Sequence, residues 1–183
     1  FKNKKKTNDK IIFGTVCRLS KEKNLVKLIN NFCAFRNKFI FYIVGDGPER
    51  NKLTNLVKRL RLEKEVKFIG KVPPEKISLN LKKIDFYINS SDFEGFPNSV
   101  IEALSHNIPV IASQSFGGVN EILVGKKFGY IYNSDYELKE ILNKIISHKI
   151  NFKINKNKLL KHLNKFSEGE NYKKYNNLFK SII

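Results

Sequence analysis

Two carboxylates eight positions apart, Glu94 and Glu102, have the spacing in this chain that points most directly to chemistry. They bracket the sequence EGFPNSVIE, in which Pro97 disfavours helical geometry at the residue before it. A helix is therefore predicted to begin near Asn98 or Ser99. The free amides of such a helix start favour an anion, although the helix dipole also favours a nearby glutamate whatever the function. Because carboxylates repel phosphate, Glu94 and Glu102 are expected to accept hydrogen bonds from uncharged hydroxyl groups instead.

Two cations after the first predicted strand offer the complementary chemistry. Arg18 and Lys23 lie five positions apart in a loop, so both side-chain tips can approach one anionic group. Arginine presents a planar fork of donors to phosphate oxygens, and lysine presents a compact charge. Loop cations in a lysine-rich chain are also commonly solvated, so spacing alone leaves both interpretations open. With the two carboxylates beside them, these cations are complementary to a sugar diphosphate that carries a ribose.

Short apolar segments alternate with helical stretches and form the frame that must position these residues. The segments with strand character are 11–16, 39–44, 66–69, 86–88, 109–112 and 128–132. Apolar residues at helical spacing predict a helix from about Asn24 to Arg36. Repeated strand–helix units predict an α/β fold, with one Rossmann-like, doubly wound parallel sheet over residues 1–183. Ligands bind outside the carboxyl ends of such strands, and the candidate residues follow strands.

Two glycine-containing loops also follow predicted strands. Residues 45–48 read GDGP, but Arg50 occupies the third glycine position of a dinucleotide fingerprint, so a tight turn into a helix is the favoured interpretation. Pro48 suits the first turn of that helix. The pair Gly117 and Gly118 permits a close backbone approach to a ligand, although a plain loop explains it nearly as well.

The net charge of +18 raises the question of a nucleic-acid partner. Lysine, asparagine and isoleucine are abundant throughout, as in AT-rich coding sequences, and no aromatic-interleaved basic motif is present. We therefore expect no nucleic-acid binding. Residues 144–165 contain seven lysines and no acidic residue, which predicts one basic surface with a weak attraction to anionic membranes.

Several residue types bear on the completeness of the chain, its cellular compartment and the presence of a membrane span or a metal site. The chain has no methionine, so Phe1 is not a natural translation start and a piece of a longer protein is expected. Cys17 and Cys33 form no metal or disulfide pattern, which is typical of the cytoplasm. No apolar run has the length of a membrane span. No metal site is expected, because the three histidines fall outside the strand-end loops. Asn107 is predicted to end a helix in the left-handed conformation.

Six segments, in order along the chain, resemble the C-terminal, donor-binding domain of retaining GT-B glycosyltransferases of family four, the glycogen-synthase-like group. These segments are CRLSKEKN, IVGDGPER, VKFIG, EGFPNSVIEAL, NIPVIAS and GGVNEIL. The fourth is the specific one, because Glu94 and Glu102 match the family's E-x7-E signature, whereas the others are weak singly but correctly spaced. The ending FSEGENYKKYNNLF is similar to the family's last helix, which crosses back to the partner domain.

The resemblance implies a role for each candidate residue. Arg18 and Lys23 would hold the diphosphate of a nucleotide sugar, Glu94 would meet hydroxyls of the donor sugar, and Glu102 would bind the ribose hydroxyls. Backbone amides would complete the site, those of Gly95 and Phe96 toward the sugar and those of Asn98 and Ser99 toward the phosphates. The base would lie near Gly70 and Val72. One departure is Cys17, where the family often has glycine, and another is Asn107 in place of a usual glycine.

The resemblance also implies the reaction, a metal-independent hexosyl transfer without a cofactor that retains the anomeric configuration. The diphosphate would leave under electrostatic stabilisation, and Glu94 would position the sugar rather than attack it. An N-terminal domain of the full-length chain would supply the acceptor site, with residues of about 155–183 packing toward it. The chain alone would then turn over little or nothing. The functions common in this family suggest that the protein assembles polysaccharide or glycolipid in the cytoplasm, either free or peripheral at the inner membrane face.

Two other functions stay open at this stage. One is a GT-B enzyme similar to UDP-sugar 2-epimerases, which would epimerise its substrate without any acceptor. The other is a non-catalytic nucleotide-binding module, in which replacement of Glu94 and Glu102 by glutamine would leave ligand affinity unchanged.

Overall fold

A computed structural model describes residues 10–114, 117–124, 127–148, 152 and 154–182 of the chain. It contains six strands: β1 (Ile11–Val16), β2 (Phe39–Val44), β3 (Val66–Gly70), β4 (Phe86–Asn89), β5 (Val110–Ser113) and β6 (Gly129–Tyr132). The α-helices are α1 (Leu25–Phe32), α2 (Arg50–Arg59), α3 (Pro74–Leu81), α4 (Asn98–Ser105), α5 (Val119–Leu123), α6 (Asp135–Ile146), α7 (Lys156–Leu163) and α8 (Glu168–Ile182). Short 3₁₀ turns span Lys21–Lys23, Cys33–Phe35 and Asn164–Phe166.

The strands form one parallel sheet in the order β3-β2-β1-β4-β5-β6. This order confirms the predicted doubly wound, Rossmann-like α/β fold. The chain winds outward in one direction from β1 to β3 and in the other from β4 to β6, so the order reverses between β1 and β4. A crevice opens at such a reversal, outside the carboxyl ends of the two strands. The loops after β1 and β4 are therefore the ones that the fold brings to a ligand-binding position.

Each face of the sheet carries its own apolar core, because alternate strand residues point to opposite faces. On one face, Phe13 and Phe41 pack with α1, α2 and α6, and the Phe32 ring lies 5.2 Å and 5.1 Å from their rings, centroid to centroid. On the other face, Tyr87 and Val110 pack with α3, α4, α5 and α7. These two cores fix the direction in which each strand-end loop projects.

The boundaries of the elements follow the sequence signals, and the differences are small. The helix start near Asn98 is confirmed, and Asn107 adopts the predicted left-handed conformation with φ of 61°. Helix α1 ends at Phe32 and tightens into a 3₁₀ turn, so the predicted helix to Arg36 was too long. Helix α2 begins at Arg50, because the turn containing Pro48 lies before the helix rather than inside it. Strand β6 begins one residue later than predicted.

The C-terminal part of the chain returns to the second core. Leu159 of α7 is buried there, whereas residues 171–174 of α8 are exposed. The prediction that this region packs toward another domain stays a prediction. Within the described residues, no helix combines the length and the apolar character that a membrane crossing requires.

Candidate functional site

The loop after β1 and the loop after β4 are joined by hydrogen bonds at the reversal point of the sheet. The Ser90 hydroxyl donates to the carbonyl of Lys23 (2.7 Å), and the Asp92 amide donates to the carbonyl of Glu22 (3.0 Å). The Asn24 side-chain amide donates to the Asp92 carboxylate (2.7 Å). Since both backbone and side-chain groups take part, the two loops are held as one unit.

Lys23 and Glu94, which come from these two loops, form an ion pair. The Lys23 Nζ lies 2.6 Å from Glu94 Oε1, and each side chain is only 18% exposed. The Ser91 hydroxyl donates to the same carboxylate oxygen at 3.0 Å. The family resemblance predicted that Lys23 binds phosphate and that Glu94 binds sugar hydroxyls. In the structure the two side chains bind each other. Partial burial strengthens such a pair relative to an ion pair on an open surface.

A closed cavity lies around this ion pair. Its walls come from β1, β4, their loops and the start of α4, namely Thr15, Cys17, Lys23, Tyr87, Asn89, Ser90, Ser91, Glu94 and Ser99. The cavity volume is about 10 Å³, which is roughly the space that a single water molecule needs in a cavity. A phosphate or sugar therefore requires a rearrangement of these side chains.

Tyr87 connects the walls of this cavity through hydrogen bonds. Its hydroxyl donates to the carbonyl of Val16 (3.1 Å) and accepts from the amide of the same residue (3.2 Å). The Ser99 side chain also hydrogen-bonds to it. Burial raises the pKa of Tyr87 to about 12, so the hydroxyl stays protonated at neutral pH. Tyr87 thus links the end of β1 to the first turn of α4.

An open pocket of about 400 Å³ lies on the other side of Cys17, at the ends of β1, β2 and β3. Its lining residues are Val16, Cys17, Arg18, Val44, Gly45, Asp46, Lys71, Val72 and Ile77. The structure therefore places Arg18 with Val72, the residue assigned to the base. Gly70 ends β3 beside this pocket, and its carbonyl accepts the Gly45 amide at 2.8 Å. Arg18 is exposed, and no carboxylate of the described residues forms an ion pair with it.

The glycine turn after β2 supports the loop that carries Arg18. Gly45 has φ of +131°, and a Cβ there would lie 1.9 Å from the Cys17 carbonyl oxygen. The Leu19 amide donates to the Asp46 carbonyl at 3.0 Å. A side chain at position 45 would therefore push the two loops apart, which explains why glycine is needed here.

The glycine pair before α5 packs against the loop of Glu94. Gly117 has φ of +125°, and a Cβ on it would lie 1.6 Å from the Glu94 carbonyl oxygen. The Gly118 amide donates to the Gly95 carbonyl at 3.0 Å. The close backbone approach predicted for these glycines therefore exists, but it is made to the protein's own loop. The pair holds the backbone of Glu94 in place.

Two backbone amides at the start of α4, those of Asn98 and Ser99, were predicted to be available to a phosphate, and only the Ser99 amide is free of a backbone acceptor within the described residues. The Asn98 amide donates to the Phe96 carbonyl at 3.0 Å, so it is engaged within the turn. No backbone carbonyl of the described residues accepts the Ser99 amide, whose side chain lines the closed cavity. The Phe96 ring is 44% exposed and lies 5.6 Å from the Phe166 ring, centroid to centroid. Gly95 is exposed beside it.

Glu102 lies apart from the Lys23–Glu94 pair. It is exposed on α4, one turn inside the helix, and it lines neither the closed cavity nor the open pocket. The structure thus groups the predicted residues into two sets, Arg18 with Val72 and Lys23 with Glu94 and Ser99. The ribose role of Glu102 stays a prediction.

Ser91 and Tyr87 belong to the site although the sequence did not single them out. Ser91 is the second residue after β4, so the rule that polar residues after buried strands are informative would have found it. Tyr87 carries no such signal, because it reads as an ordinary strand residue. Within the described residues, no group of three or more His, Cys, Asp or Glu side chains is arranged to hold a metal ion.

Comparisons with known proteins identify the family to which the chain belongs. The Glycosyl transferases group 1 family matches residues 1–174. The chain is 30% identical over 148 residues to the phosphatidylinositol N-acetylglucosaminyltransferase GPI3 subunit of Saccharomyces cerevisiae (strain YJM789). That match covers 79% of this chain and 32% of the yeast protein, so the chain spans about a third of this relative.

Two solved structures show the same arrangement of elements. The lipopolysaccharide outer core galactosyltransferase WaaB, in its apo form, has a TM-score of 0.84 at 22% identity, over 97% of this chain and 51% of that chain. Anabaena Alr3699/HepE in complex with UDP and glucose has a TM-score of 0.69 at 27% identity, over 75% of this chain and 39% of that chain. The chain belongs to the Glycosyl transferases group 1 family, and its six-stranded Rossmann-like fold is that of GT-B glycosyltransferases.

Proposed function

We propose that this chain is the donor-binding half of a retaining, metal-independent glycosyltransferase that takes a hexosyl group from a nucleotide-diphosphate sugar. The observation that carries the proposal is the meeting of Lys23, Glu94 and the first turn of α4 at the reversal point of the sheet. A pocket that contains Arg18 and Val72 opens beside them.

The diphosphate is assigned to the cationic groups between the two pockets. Lys23 offers an ammonium group with three donors, and Arg18 offers an exposed guanidinium that a phosphate can reach. The unpaired amide of Ser99 adds a donor at the start of a helix, where an anion is favoured. Arg18 lines the open pocket and Lys23 the closed cavity, with Cys17 in the wall of both.

The sugar and the nucleoside are assigned to opposite sides of the diphosphate. Glu94 is the acceptor for donor-sugar hydroxyls, and the backbone groups of Gly95 and Phe96 lie next to it. The open pocket near Gly70 and Val72 receives the base. Glu102 is assigned to the ribose hydroxyls on the strength of its position in the E-x7-E signature. The structure of HepE in complex with UDP and glucose supports a nucleotide sugar as the ligand class.

The chemistry proposed for this site is electrostatic. The bond between the anomeric carbon and the phosphate oxygen breaks, and its electron pair leaves with the diphosphate. The acceptor oxygen forms the new bond to the anomeric carbon from the same face, and its proton passes to the departing phosphate oxygen. Lys23, Arg18 and the start of α4 stabilise the developing negative charge, because two cations and a helix N-terminus favour an anion at this edge of the sheet.

The acceptor is proposed to bind in an N-terminal domain of the full-length protein. The chain spans 32% of its yeast relative, which leaves room for such a domain. The exposed residues 171–174 of α8 are the surface proposed to face it. Little or no transfer is expected from these 183 residues alone, and measurable transfer to any acceptor by the isolated chain would contradict this part of the proposal.

A peripheral position at the inner membrane face is proposed from the basic surface of α7. Lys158 and Lys161 are exposed, and Leu160 between them is 64% exposed. Anionic lipids attract such a surface. Sedimentation with phosphatidylserine vesicles at low and high salt tests this, with phosphatidylcholine vesicles as the control. Loss of binding at high salt and in Lys158→Glu/Lys161→Glu is expected, and equal binding to both vesicle types would contradict it.

The nucleotide-sugar proposal is tested by calorimetry on the 183-residue chain. UDP, ADP, GDP and their glucose conjugates are titrated into the unchanged chain and into Arg18→Ala. We expect one base to be preferred and the Arg18→Ala variant to bind the same ligand more weakly. Lys27→Ala is the matched control, because Lys27 lies on α1, is exposed and paired with Asp135, and lines neither of the two pockets. If the unchanged chain binds none of these ligands, the proposal is wrong.

A further inference from the structure

We infer that Ser91 is a positioning residue for Glu94, a role that rests on the nucleotide-sugar function proposed above. Ser91 holds the Glu94 carboxylate toward the donor sugar at the moment when the diphosphate takes Lys23 away from it. The geometry around Ser91, the two partners of Glu94 and the contrast with Ser90 carry this inference.

Ser91 is among the most firmly held polar residues of the site. It is only 3% exposed and follows β4, whose four residues are all buried. Its amide donates to the Asn89 side-chain oxygen at 3.0 Å, and its carbonyl accepts the Ser113 hydroxyl at 2.5 Å. With its backbone fixed on both sides, the Ser91 hydroxyl has a defined position at the wall of the closed cavity.

Glu94 has two partners of different kinds on one oxygen. The Lys23 ammonium and the Ser91 hydroxyl both donate to Oε1, at 2.6 Å and 3.0 Å. A diphosphate carries more negative charge than a carboxylate and therefore competes for Lys23. It does not compete in the same way for an uncharged hydroxyl on the buried side. Ser91 is thus the contact that persists, and it sets where the carboxylate points.

Ser90 shows that this role is specific to one of two adjacent serines. The Ser90 hydroxyl donates to the backbone carbonyl of Lys23 at 2.7 Å and so fixes the loop rather than the carboxylate. Both serines are buried, at 7% and 3% exposure. The Ser90 hydroxyl therefore fixes the backbone of Lys23, whereas the Ser91 hydroxyl fixes the side chain of Glu94.

The test compares UDP with UDP-glucose, measured by calorimetry on the unchanged chain, Ser91→Ala and Ser91→Cys. We expect Ser91→Ala to leave UDP affinity within about twofold and to lower UDP-glucose affinity roughly 5- to 20-fold, as the loss of a hydrogen bond to a charged group allows. Ser91→Cys keeps the shape with a slightly larger atom and donates weakly, so an intermediate loss is expected. It also supplies a measurement if Ser91→Ala unfolds.

A double-mutant cycle separates positioning from a structural effect. In a Glu94→Ala background, Ser91→Ala is expected to change UDP-glucose affinity by less than about twofold, because its partner is gone. Ser105→Ala is the control, since this exposed serine on α4 donates to a backbone carbonyl. Equal losses for UDP and UDP-glucose, or a full loss in the Glu94→Ala background, would overturn the inference. If the unchanged chain binds none of the nucleotides and glucose conjugates titrated above, the proposed function is wrong and this inference with it.

Discussion

The two pockets at the carboxyl edge of the sheet differ in a way that separates two cations only five residues apart. The pocket at the ends of β1, β2 and β3 is open, measures about 400 Å³ and contains exposed Arg18. The cavity between β1 and β4 measures about 10 Å³ and is filled by the Lys23–Glu94 pair. The nucleoside side of the proposed site is therefore preformed, whereas the sugar side must rearrange.

This difference assigns different energetic roles to the two cations. Arg18 gives up only solvent when it meets a phosphate, since none of the described carboxylates is paired with it. Lys23 must exchange one anion for another, and Glu94 must then be satisfied by Ser91 and by hydroxyls of the ligand. Under the proposed function, binding of a diphosphate is thereby coupled to the orientation of the Glu94 carboxylate.

The largest expected effect comes from Lys23→Ala. This change removes the proposed phosphate ligand and leaves the Glu94 carboxylate, 18% exposed, without its cation. We expect UDP affinity to fall roughly 10- to 100-fold, corresponding to the loss of a charged hydrogen bond of about 1.5–3 kcal/mol. The melting temperature should also fall. Calorimetry and thermal unfolding measure both, with Lys27→Ala as the control that should change neither.

Arg18→Ala sharpens the comparison between the two cations. We expect UDP affinity to fall roughly 5- to 30-fold, since one bidentate phosphate contact is lost. The melting temperature should stay within experimental error, because the side chain is exposed. A melting temperature that falls as far as in Lys23→Ala would show that the two cations do not differ as proposed.

Glu94→Gln and Glu102→Gln separate the sugar side from the nucleoside side. Glu94→Gln is expected to lower UDP-glucose affinity about 5- to 10-fold relative to UDP affinity, because glutamine is a weaker acceptor for hydroxyls. UDP affinity itself should not fall, because Lys23 loses the carboxylate that competes with the diphosphate. Glu102→Gln is expected to lower the affinity for both ligands by a similar, smaller factor. Parallel titrations of each ligand measure this. The assignment of Glu94 to the sugar would be wrong if UDP affinity fell as much as UDP-glucose affinity.

Tyr87→Phe tests the hydroxyl that joins β1 to α4. Burial raises the pKa of Tyr87 to about 12, whereas an unfolded tyrosine ionises near pH 10. As the pH rises the unfolded state loses this proton first, so the stabilisation is complete below about pH 10 and is lost toward pH 12. The difference in unfolding free energy between wild type and Tyr87→Phe should therefore narrow over this range. Denaturant titrations at several pH values check it, and a constant difference would contradict it.

The smallest expected effect concerns Cys17, which lies between the two pockets. Burial raises the pKa of its thiol to about 11, so about one thiol in a thousand is ionised at pH 8. Alkylation by iodoacetamide should be slow there and slower still with saturating UDP. Burial also raises the pKa of Cys33, which lies away from both pockets, so its rate should not respond to UDP. Mass spectrometry of the labelled chain reads both sites.

Local signals predicted much of this fold. The six strands, the start of α4 after Pro97 and the left-handed Asn107 each follow from a few neighbouring residues. The length of α1 was overestimated, because helical spacing of apolar residues continues through its terminal 3₁₀ turn at Cys33–Phe35.

The contacts within the site could not be predicted from such local signals. Lys23 and Glu94 lie 71 positions apart, and their pairing depends on the parallel alignment of β1 with β4. Tyr87 reaches Val16 through the same alignment. The glycines at 117 and 118 were correctly associated with a close approach, but the sequence does not specify what approaches them.

The central claim is that a diphosphate replaces Glu94 as the partner of Lys23, and a crystal structure of the chain with UDP tests it most directly. The account predicts a phosphate oxygen about 3 Å from Lys23 Nζ, with Arg18 reaching the same diphosphate and Glu94 still bound to Ser91. UDP bound elsewhere, or bound while Lys23 Nζ remains 2.6 Å from Glu94 and apart from the phosphates, would contradict it.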